Sequence, residues 1–236
     1  GYKLIFLTKN NLFSFFNKSE FPTNFNDYRI QKQSDLIRLK CLQKTGGVWL
    51  DFTNILLENL NWITNSKSSG IIFYASAIEF NHQNDCYVEN WFLAFRKDSY
   101  ILNKWLELFE KNLILYGDTD KLYSSPILMD NDVKKLCGSY MFQHATFLYL
   151  FKNDLKFRNE YYKLDRYHSH GDNNNNFGPL GWNIGSNGLN NIHSEYENFL
   201  KWKNKIYNFV PFLKLTNERR ERFLNSNTIQ TIINHM

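Results

Sequence analysis

The stretch QSDLIRLKCLQKTGGVWLDFTN, residues 33–54, carries a helix-to-strand transition that ends in a carboxylate. Its first half spaces apolar residues as an amphipathic helix does, with Ser34 as the expected N-cap. Gly46 and Gly47 end this helix, and the apolar strand that follows ends at Asp51. Ligands of open α/β sheets bind beyond the carboxyl ends of the strands, so Asp51 is a predicted ligand-binding residue.

Further polar residues and a flexible turn accompany this carboxylate. Thr53 follows it closely, and Gly46 and Gly47 would let the backbone approach a ligand. Asp35 and Arg38 are three residues apart and therefore share one helix face. They form either an ordinary surface ion pair or one wall of the same pocket. In the second case Asp35 accepts a hydrogen bond from a ligand, and Arg38 positions Asp35 or meets a phosphate.

Strands and helices alternate through the first half of the chain. Strands are predicted over residues 2–8, 70–77, 90–96 and 209–216, and helices over residues 98–117, 138–155, 195–206 and from 218 onward. Asp98 is the expected cap of the most strongly periodic helix, and residues 168–191 are expected to form a loop. This order predicts a single α/β domain with a mostly parallel central sheet and a C-terminal half rich in helices and loops.

The 236-residue chain is 43% hydrophobic and 22% charged, which is the composition of a globular domain. Its net charge of +5 either favours anionic ligands and membrane surfaces or reflects ordinary solvated side chains. The chain has no stripe of basic and aromatic residues, so nucleic acid is not an expected partner. It has no apolar run long enough to span a membrane, and its three cysteines lack metal-ligand spacing. The expected location is the cytoplasm, or the cytoplasmic face of a membrane with peripheral attachment.

Residues 34–53 resemble the nucleotide-sugar-binding region of the sugar-transferring glycosyltransferases that carry a DxD motif. Because this chain ends the motif as Asp-x-Thr, it looks most like the capsular polysaccharide synthesis family. Three more stretches are similar to that family, and the resemblance runs from about residue 24 to residue 216. They are residues 89–109, where an Asn precedes an apolar strand and a helix, the aromatic, His-containing helix over 140–151, and the Lys-Leu-Thr run at 214–216.

The resemblance implies a GT-A fold, a nucleoside-diphosphate-sugar donor that is expected to be a UDP-sugar, and a divalent cation, Mn²⁺ or Mg²⁺. It implies transfer with retention of configuration to a glycan or lipid-linked acceptor in capsule or glycoconjugate synthesis. Donor binding would fall to about residues 1–96, and the acceptor site and a lid to about residues 97–236. Such a fold opens with one more strand before Tyr2, so a truncated N-terminus is expected.

Several residues take roles by the same resemblance. Asp51 would be catalytic and would bind the metal ion, the donor ribose or both, while Asp35 would contact ribose or sugar hydroxyls with Arg38 beside it. Gly46 and Gly47 would line the donor site. Thr53 stands where a DxD motif has its second carboxylate, so metal binding is expected to be weaker, completed elsewhere or lost.

Residues farther along the chain complete the expected site. Asn90 would be catalytic by presenting its amide to the donor sugar or acceptor, although a strand-start residue that satisfies only backbone groups is the alternative. Lys214 would reach the diphosphate. Trp182 would form a stacking lid on the loop over residues 168–191.

Other candidates remain open. His144 is expected to be a hydrogen-bonded core residue. His168, His170 and Asp172 have a spacing that suits a metal ion, but no strand or helix fixes them. The competing functions are a catalytically inactive sugar- or nucleotide-binding module on the same fold and a metal-dependent phosphodiesterase that uses Asp35 and Asp51.

Overall fold

The computed structural model describes residues 2–56, 59–75, 87–169 and 212–214. The helices of this part are α1 Leu12–Phe15, α2 Ile30–Thr45, α3 Asn61–Asn65, α4 Tyr100–Tyr116, α5 Pro126–Met129, α6 Asn131–Leu136, α7 Phe142–Asn153 and α8 Leu155–Tyr161. The strands are β1 Gly47–Leu50, β2 Asn54–Leu56, β3 Gly70–Ala75, β4 Tyr87–Phe95, β5 Asp165–His168 and β6 Phe212–Lys214. Short 3-10 turns lie at Lys18–Glu20, Phe25–Asp27 and Asp120–Ser124.

The central sheet has four strands in the order β1-β4-β3-β5, and it is mixed rather than mostly parallel. β4 runs antiparallel to both of its neighbours, and only the pairing of β3 with β5 is parallel. The prediction of a mostly parallel sheet was wrong because residues 76–86, between β3 and β4, are too few for a helical crossover. β1, β3 and β5 still point the same way, so their carboxyl ends share one edge of the sheet.

Both faces of this sheet are buried. Ile72 and Leu93 are paired across β3 and β4 and face the larger core, which α2, α4, α7 and α8 complete. The neighbouring pair, Ile71 and Ala94, faces a smaller core on the other side. Trp62 of α3 stacks there on Phe92, with ring centroids 5.7 Å apart. A sheet covered on both faces holds its strand ends rigidly, which suits a site built at its edge.

One predicted strand and two predicted helix caps were wrong. Residues 2–8 are apolar but form no strand with the rest of the described chain. α2 begins at Ile30, before the expected Ser34 cap, because no helix-breaking residue precedes Ser34 in this turn. The N-cap of α4 is Ser99 and not Asp98, since the Ser99 hydroxyl accepts from the Leu102 amide.

Several other predicted helices and strands are observed in the described part of the chain. α4 and α7 lie within the predicted helices, and β6 lies within the extended piece predicted over residues 209–216. β6 pairs with β2, which places Lys214 opposite Asn54. The predicted helices over 195–206 and from 218 onward, and nearly all of the predicted loop over 168–191, lie outside the described residues. None of the helices described is long and apolar enough to cross a membrane.

Candidate functional site

Asp51 continues β1 by one residue at the shared strand edge. Its amide donates to the Trp91 carbonyl of β4 at 2.9 Å. Its own carbonyl closes a tight turn by accepting from the Asn54 amide at 3.0 Å and from Asn54 Nδ2 at 2.9 Å. Asn54 Nδ2 also donates to the Trp91 carbonyl at 3.0 Å, so the turn is tied to the sheet. The backbone therefore holds the carboxylate where the sequence predicted it.

The Asp51 carboxylate is oriented by two donors on one oxygen. Oδ1 accepts from Trp49 Nε1 at 2.9 Å and from Arg38 Nη2 at 3.2 Å. The Arg38 guanidinium also lies 5.4 Å from the centroid of the Trp49 ring. The Asp51 side chain keeps 28% of its surface exposed, so it lies at the rim of the site and a ligand can reach it.

Asp35 and Arg38 form a buried pair and not an ordinary surface ion pair. Arg38 Nη1 donates to Asp35 Oδ1 at 2.9 Å, and the side chains are only 6% and 11% exposed. Because Arg38 also reaches Asp51, one guanidinium joins both carboxylates that the sequence singled out. The sequence left open whether Asp35 and Arg38 formed a surface ion pair or one wall of the pocket, and the structure joins both to Asp51 through Arg38.

Gln143 of α7 connects this pair to Asn90 and was missed by the sequence analysis. Its Oε1 accepts from Arg38 Nη1 at 2.7 Å and from Asn90 Nδ2 at 2.8 Å. Asn90 Nδ2 also approaches Asp35 Oδ1 at 3.3 Å. The sequence signal that could have identified Gln143 is a polar residue inside an apolar helix. Gln143 is fully buried in the structure, and buried polar groups need hydrogen-bond partners. Asn90 thus faces the carboxylates and does more than satisfy backbone groups.

Lys32 is a second cation that the sequence analysis missed. Its ammonium lies 3.6 Å from Asp35 Oδ2, donates to the Tyr140 carbonyl, and lies 5.7 Å from the centroid of the Tyr140 ring. Burial lowers the pKa of Lys32, and Asp35 opposes that shift. We call Lys32, Asp35, Arg38 and Asp51 the charged cluster.

The charges of this cluster cancel when all four groups are ionised. Burial raises the pKa of Asp35 above its ordinary value, and the adjoining Arg38 and Lys32 work against that rise. Two cations against two carboxylates leave no net charge to attract a dianion. This balance limits what the cluster binds without a further cation.

His144 follows Gln143 and lies in the core, as predicted. Its ring stacks on Tyr87 with centroids 5.2 Å apart and an angle of 19°. Complete burial, with Arg38 and Lys32 nearby, lowers the pKa of His144 to about 3, so the imidazole is neutral near pH 7. The predicted hydrogen bond is not seen at Nδ1, which is buried and has no partner in the described part of the chain.

Glu89 brings another carboxylate to this edge of the sheet, which the sequence analysis also missed. It accepts from Trp91 Nε1 at 2.7 Å and from the Ser169 hydroxyl at 3.2 Å. Ser169 is anchored in turn by its amide, which donates to the Tyr74 carbonyl at 2.7 Å. These contacts tie the residue after β5 to the beginning of β4.

Gly46 and Gly47 lie at the opposite end of β1 from Asp51. Both have positive φ, 66° and 94°, which an L side chain rarely adopts. A Cβ on Gly46 would lie 3.0 Å from the Lys97 amide nitrogen. The two glycines therefore serve the sharp turn from α2 into β1, and donor binding by them stays a prediction.

The chain matches the family described as capsular polysaccharide synthesis protein over residues 1–177. It belongs to that family. No curated protein and no solved structure matches it. The match covers every residue of the charged cluster together with Asn90 and Gln143, and it confirms the predicted family. Membership indicates a role in capsule biosynthesis and agrees with sugar donors and acceptors as partners.

The structure describes only some of the remaining predicted residues. Thr53 is buried within the turn that follows Asp51. The backbone of Lys214 lies opposite Asn54, and so close to that turn. Trp182 and the His170–Asp172 pattern lie outside the described residues.

A divalent cation has one suitable carboxylate in the charged cluster. Among the described residues there is no group of three His, Cys, Asp or Glu side chains that would hold a metal ion. Mg²⁺ is commonly bound by one or two carboxylates together with substrate phosphates and water, and Asp51 at the rim fits that pattern. Arg38 lies between Asp35 and Asp51, so the cluster gives no support to a two-metal phosphodiesterase.

Proposed function

We propose that this protein is a glycosyltransferase of capsule synthesis. It transfers a sugar from a nucleoside-diphosphate donor, a UDP-sugar, to a glycan or lipid-linked acceptor with retention of configuration. The observation that carries the proposal is the convergence of Asp35, Asp51 and Asn90 on one edge of the sheet, joined through Arg38. The family match adds the context of polysaccharide synthesis.

The side chains at this edge suit the recognition of hydroxyl groups. Carboxylates accept hydrogen bonds from sugar or ribose hydroxyls, and an amide such as that of Asn90 both donates and accepts. Asp51 is the more exposed carboxylate, so it is the one assigned to the reacting part of the donor. Asp35 is more buried and is assigned to a fixed hydroxyl contact.

The neutral cluster favours a donor that arrives with a cation. A diphosphate leaving group carries negative charge that grows as the glycosidic bond breaks. Because Lys32 and Arg38 are already compensated by carboxylates, additional positive charge has to come from Mn²⁺ or Mg²⁺ held by Asp51, or from a further basic residue. When bound, the cation stabilises the charge of the leaving group. Lys214 is the proposed second cation, supported by its position opposite Asn54.

Thermal melting with a panel of nucleotide sugars tests this function first. A ligand that binds only the folded protein raises the melting temperature, so we expect a rise with one UDP-sugar that depends on Mn²⁺. Asp51→Asn should abolish that rise and sugar transfer while the protein remains folded. The control is Asp98→Asn, which changes an exposed carboxylate and should leave both unchanged.

One observation favours an inactive binding module as the second candidate. Thr53 replaces a second carboxylate and is buried, so it offers the metal ion little. A binding module would show saturable, Asp51-dependent binding of the nucleotide sugar with no transfer and no donor hydrolysis. Turnover at any acceptor would exclude it.

A further inference from the structure

β4 leaves its regular pairing with β3 near its beginning. The pair of Ile72 with Leu93 is followed by the pair of Tyr74 with Val88. Residues 89–92 of β4 therefore lie opposite a single residue of β3. A bulge of this kind changes the face of the sheet on which the neighbouring side chains lie, and bulges are common beside active sites.

The bulge reverses the alternation of side chains along β4. Ala94 and Phe92 are two residues apart and both lie in the smaller core, as in a regular strand. Trp91 lies in that core too, although it directly precedes Phe92. Regular alternation would place Trp91 on the face of the larger core and Asn90 in the smaller core. Instead Asn90 faces the charged cluster, where its Nδ2 donates to Gln143 Oε1 at 2.8 Å.

Trp91 is held in the smaller core by its ring and by its indole nitrogen. The ring packs on Phe73 with centroids 5.8 Å apart. Nε1 donates to Glu89 Oε2 at 2.7 Å, and hydrogen bonds to carboxylates are among the stronger ones in proteins. This bond joins the two residues that flank Asn90, on the side of the chain opposite to the Asn90 amide.

A second contact fixes the Glu89 carboxylate itself. Oε1 accepts from the Ser169 hydroxyl at 3.2 Å, and the buried Ser169 donates through its amide to the Tyr74 carbonyl at 2.7 Å. Tyr74 is the residue of β3 at which pairing with β4 resumes after the bulge. Glu89 thus supplies a side-chain link to β3, through Ser169, where the backbone pairing is interrupted.

We propose that Glu89 is the positioning residue of Asn90. By holding Trp91 in the smaller core, its carboxylate keeps β4 on the bulged path that turns the Asn90 amide toward the charged cluster. Glu89 acts through the backbone, from the opposite face of the sheet, and not by contact with a ligand. The inference deepens the proposed transferase function and rests on it only for the donor sugar that Asn90 contacts.

Hydrogen exchange of the Asn90 side-chain amide, followed by NMR on the full chain, tests this role without a ligand. The resonances of this amide are those absent from the spectrum of Asn90→Ala. Glu89→Ala removes the acceptor of the Trp91 indole, so we expect the Asn90 amide to exchange about tenfold faster, the effect of one lost hydrogen bond. Trp91→Phe removes the donor of the same bond, keeps a ring in the smaller core and should reproduce that change. Glu89→Gln keeps an acceptor and should stay within about twofold of the wild type.

Trp105 Nε1 is an internal control in the same spectra. This indole is buried in the larger core and donates to the Gln143 carbonyl at 2.9 Å. A general loss of stability would speed exchange at Trp105 as well as at Asn90, whereas lost positioning speeds exchange at Asn90 alone. Glu107→Ala removes a carboxylate that is 66% exposed on α4, and this control variant should change neither rate. Unchanged exchange at Asn90 in either test variant, or equal acceleration at Trp105, would overturn the positioning role.

Binding of UDP and of a UDP-sugar, each with Mn²⁺, separates this role from the proposed function. The UDP-sugar is the one that gives the largest melting-temperature rise in the panel. Because Asn90 is assigned to the sugar, we expect Glu89→Ala to weaken binding of the UDP-sugar about tenfold and binding of UDP by less than about twofold. In an Asn90→Ala background, Glu89→Ala should weaken UDP-sugar binding no further, since both changes remove the same contact.

The two sets of measurements have distinct outcomes. Faster exchange at Asn90 together with these binding changes supports both proposals. Faster exchange with no nucleotide binding by the wild type keeps the positioning role of Glu89 and removes the transferase. UDP-sugar binding by the wild type, with unchanged exchange at Asn90 in Glu89→Ala, keeps the transferase and overturns the positioning role.

Discussion

Gln143 Oε1 accepts a hydrogen bond from Arg38 Nη1 at 2.7 Å, and the same oxygen accepts from Asn90 Nδ2 at 2.8 Å. One side-chain carbonyl on α7 therefore sets the orientation of a guanidinium on α2 and of an amide on β4. The Gln143 backbone is fixed as well, because its carbonyl accepts from Trp105 Nε1 at 2.9 Å. This makes Gln143 a positioning residue for both partners.

Gln143→Met removes this acceptor at nearly constant volume. Two buried donors then lose a partner, so we expect the free energy of unfolding to fall by about 1–3 kcal/mol. Denaturant titration measures the fall. Gln43→Met, an exposed change on α2, is the control and should stay within about 0.5 kcal/mol of wild type. A loss in Gln143→Met no larger than in this control would mean that the shared oxygen does not hold the site together.

Arg38→Met tests the buried cation that joins the two carboxylates. It leaves Asp35 and Asp51 without their shared guanidinium, and breaking a buried ion pair by removing one partner costs about 3–5 kcal/mol. Because Lys32 still lies 3.6 Å from Asp35, we expect the lower end of that range. Denaturant titration again measures the loss.

Arg29→Met is the matched control for this prediction. Arg29 precedes α2 and also faces a carboxylate, with Nε 3.8 Å from Asp118, but its side chain is 51% exposed. Exposed ion pairs contribute about 0–1 kcal/mol, so the control should change stability little. Similar losses in the two variants would show that the buried pairs of Arg38 contribute no more to protein stability than an exposed ion pair does.

Local features of this site were readable from the sequence because they depend on near neighbours. The spacing of Asp35 and Arg38 on one helix, the glycine turn and the strand that ends at Asp51 all lie within residues 33–54. Asn90 was singled out by the resemblance to the family, in which an Asn precedes an apolar strand. In each case the residues that decide the local structure are close in the chain.

The features that were missed depend on distant contacts. Arg38 and Gln143 are 105 residues apart in sequence, and no periodicity predicts which buried polar group meets which. Lys32 lies before the predicted Ser34 cap, and its contact with the carbonyl of Tyr140, 108 residues away, has no signal in the local sequence. The predicted direction of β4 was also wrong, because an apolar run predicts a strand but not whether it pairs parallel or antiparallel with its neighbours.

His144 makes stability depend on pH in a defined direction. Its pKa is about 3 in the folded protein and 6.5 ordinarily, so between these values the unfolded chain binds one more proton. The free energy of unfolding should therefore fall by about 1.4 kcal/mol for each pH unit below about pH 6. Above pH 6.5 this contribution is fully present.

His144→Phe isolates that proton, since a phenyl ring keeps a planar partner for Tyr87 and does not titrate. Other groups titrate equally in both proteins, so they cancel in the difference. Between pH 6 and pH 4, we expect the free energy of unfolding of the wild type to fall more steeply than that of the variant. The difference in slope should correspond to about one extra proton taken up when the wild type unfolds. Denaturant titrations across this range measure both slopes. Parallel slopes would mean that His144 is protonated in the folded protein.

Gly46→Ala tests the turn that leads into β1, and Gly117→Ala is its matched control. Both glycines cap a long helix in nearly the same conformation, with φ 66° and ψ −162° at Gly46 and φ 72° and ψ −155° at Gly117. Backbone strain should therefore cost each variant a similar amount, about 1–3 kcal/mol. The surroundings differ, because a Cβ at Gly117 meets open space.

At Gly46 the new Cβ would lie 3.0 Å from the Lys97 amide nitrogen and 3.2 Å from the Phe95 carbonyl oxygen. These are backbone atoms at the end of β4, so relief requires β1 and β4 to move apart. We expect Gly46→Ala to lose about 1–3 kcal/mol more than Gly117→Ala in denaturant titration. Because β1 and β4 carry Asp51 and Asn90, the variant should also weaken the binding of UDP with Mn²⁺, whereas Gly117→Ala should not. Equal losses of stability in the two variants would mean that backbone conformation alone requires a glycine at position 46, and that its close contact with β4 does not.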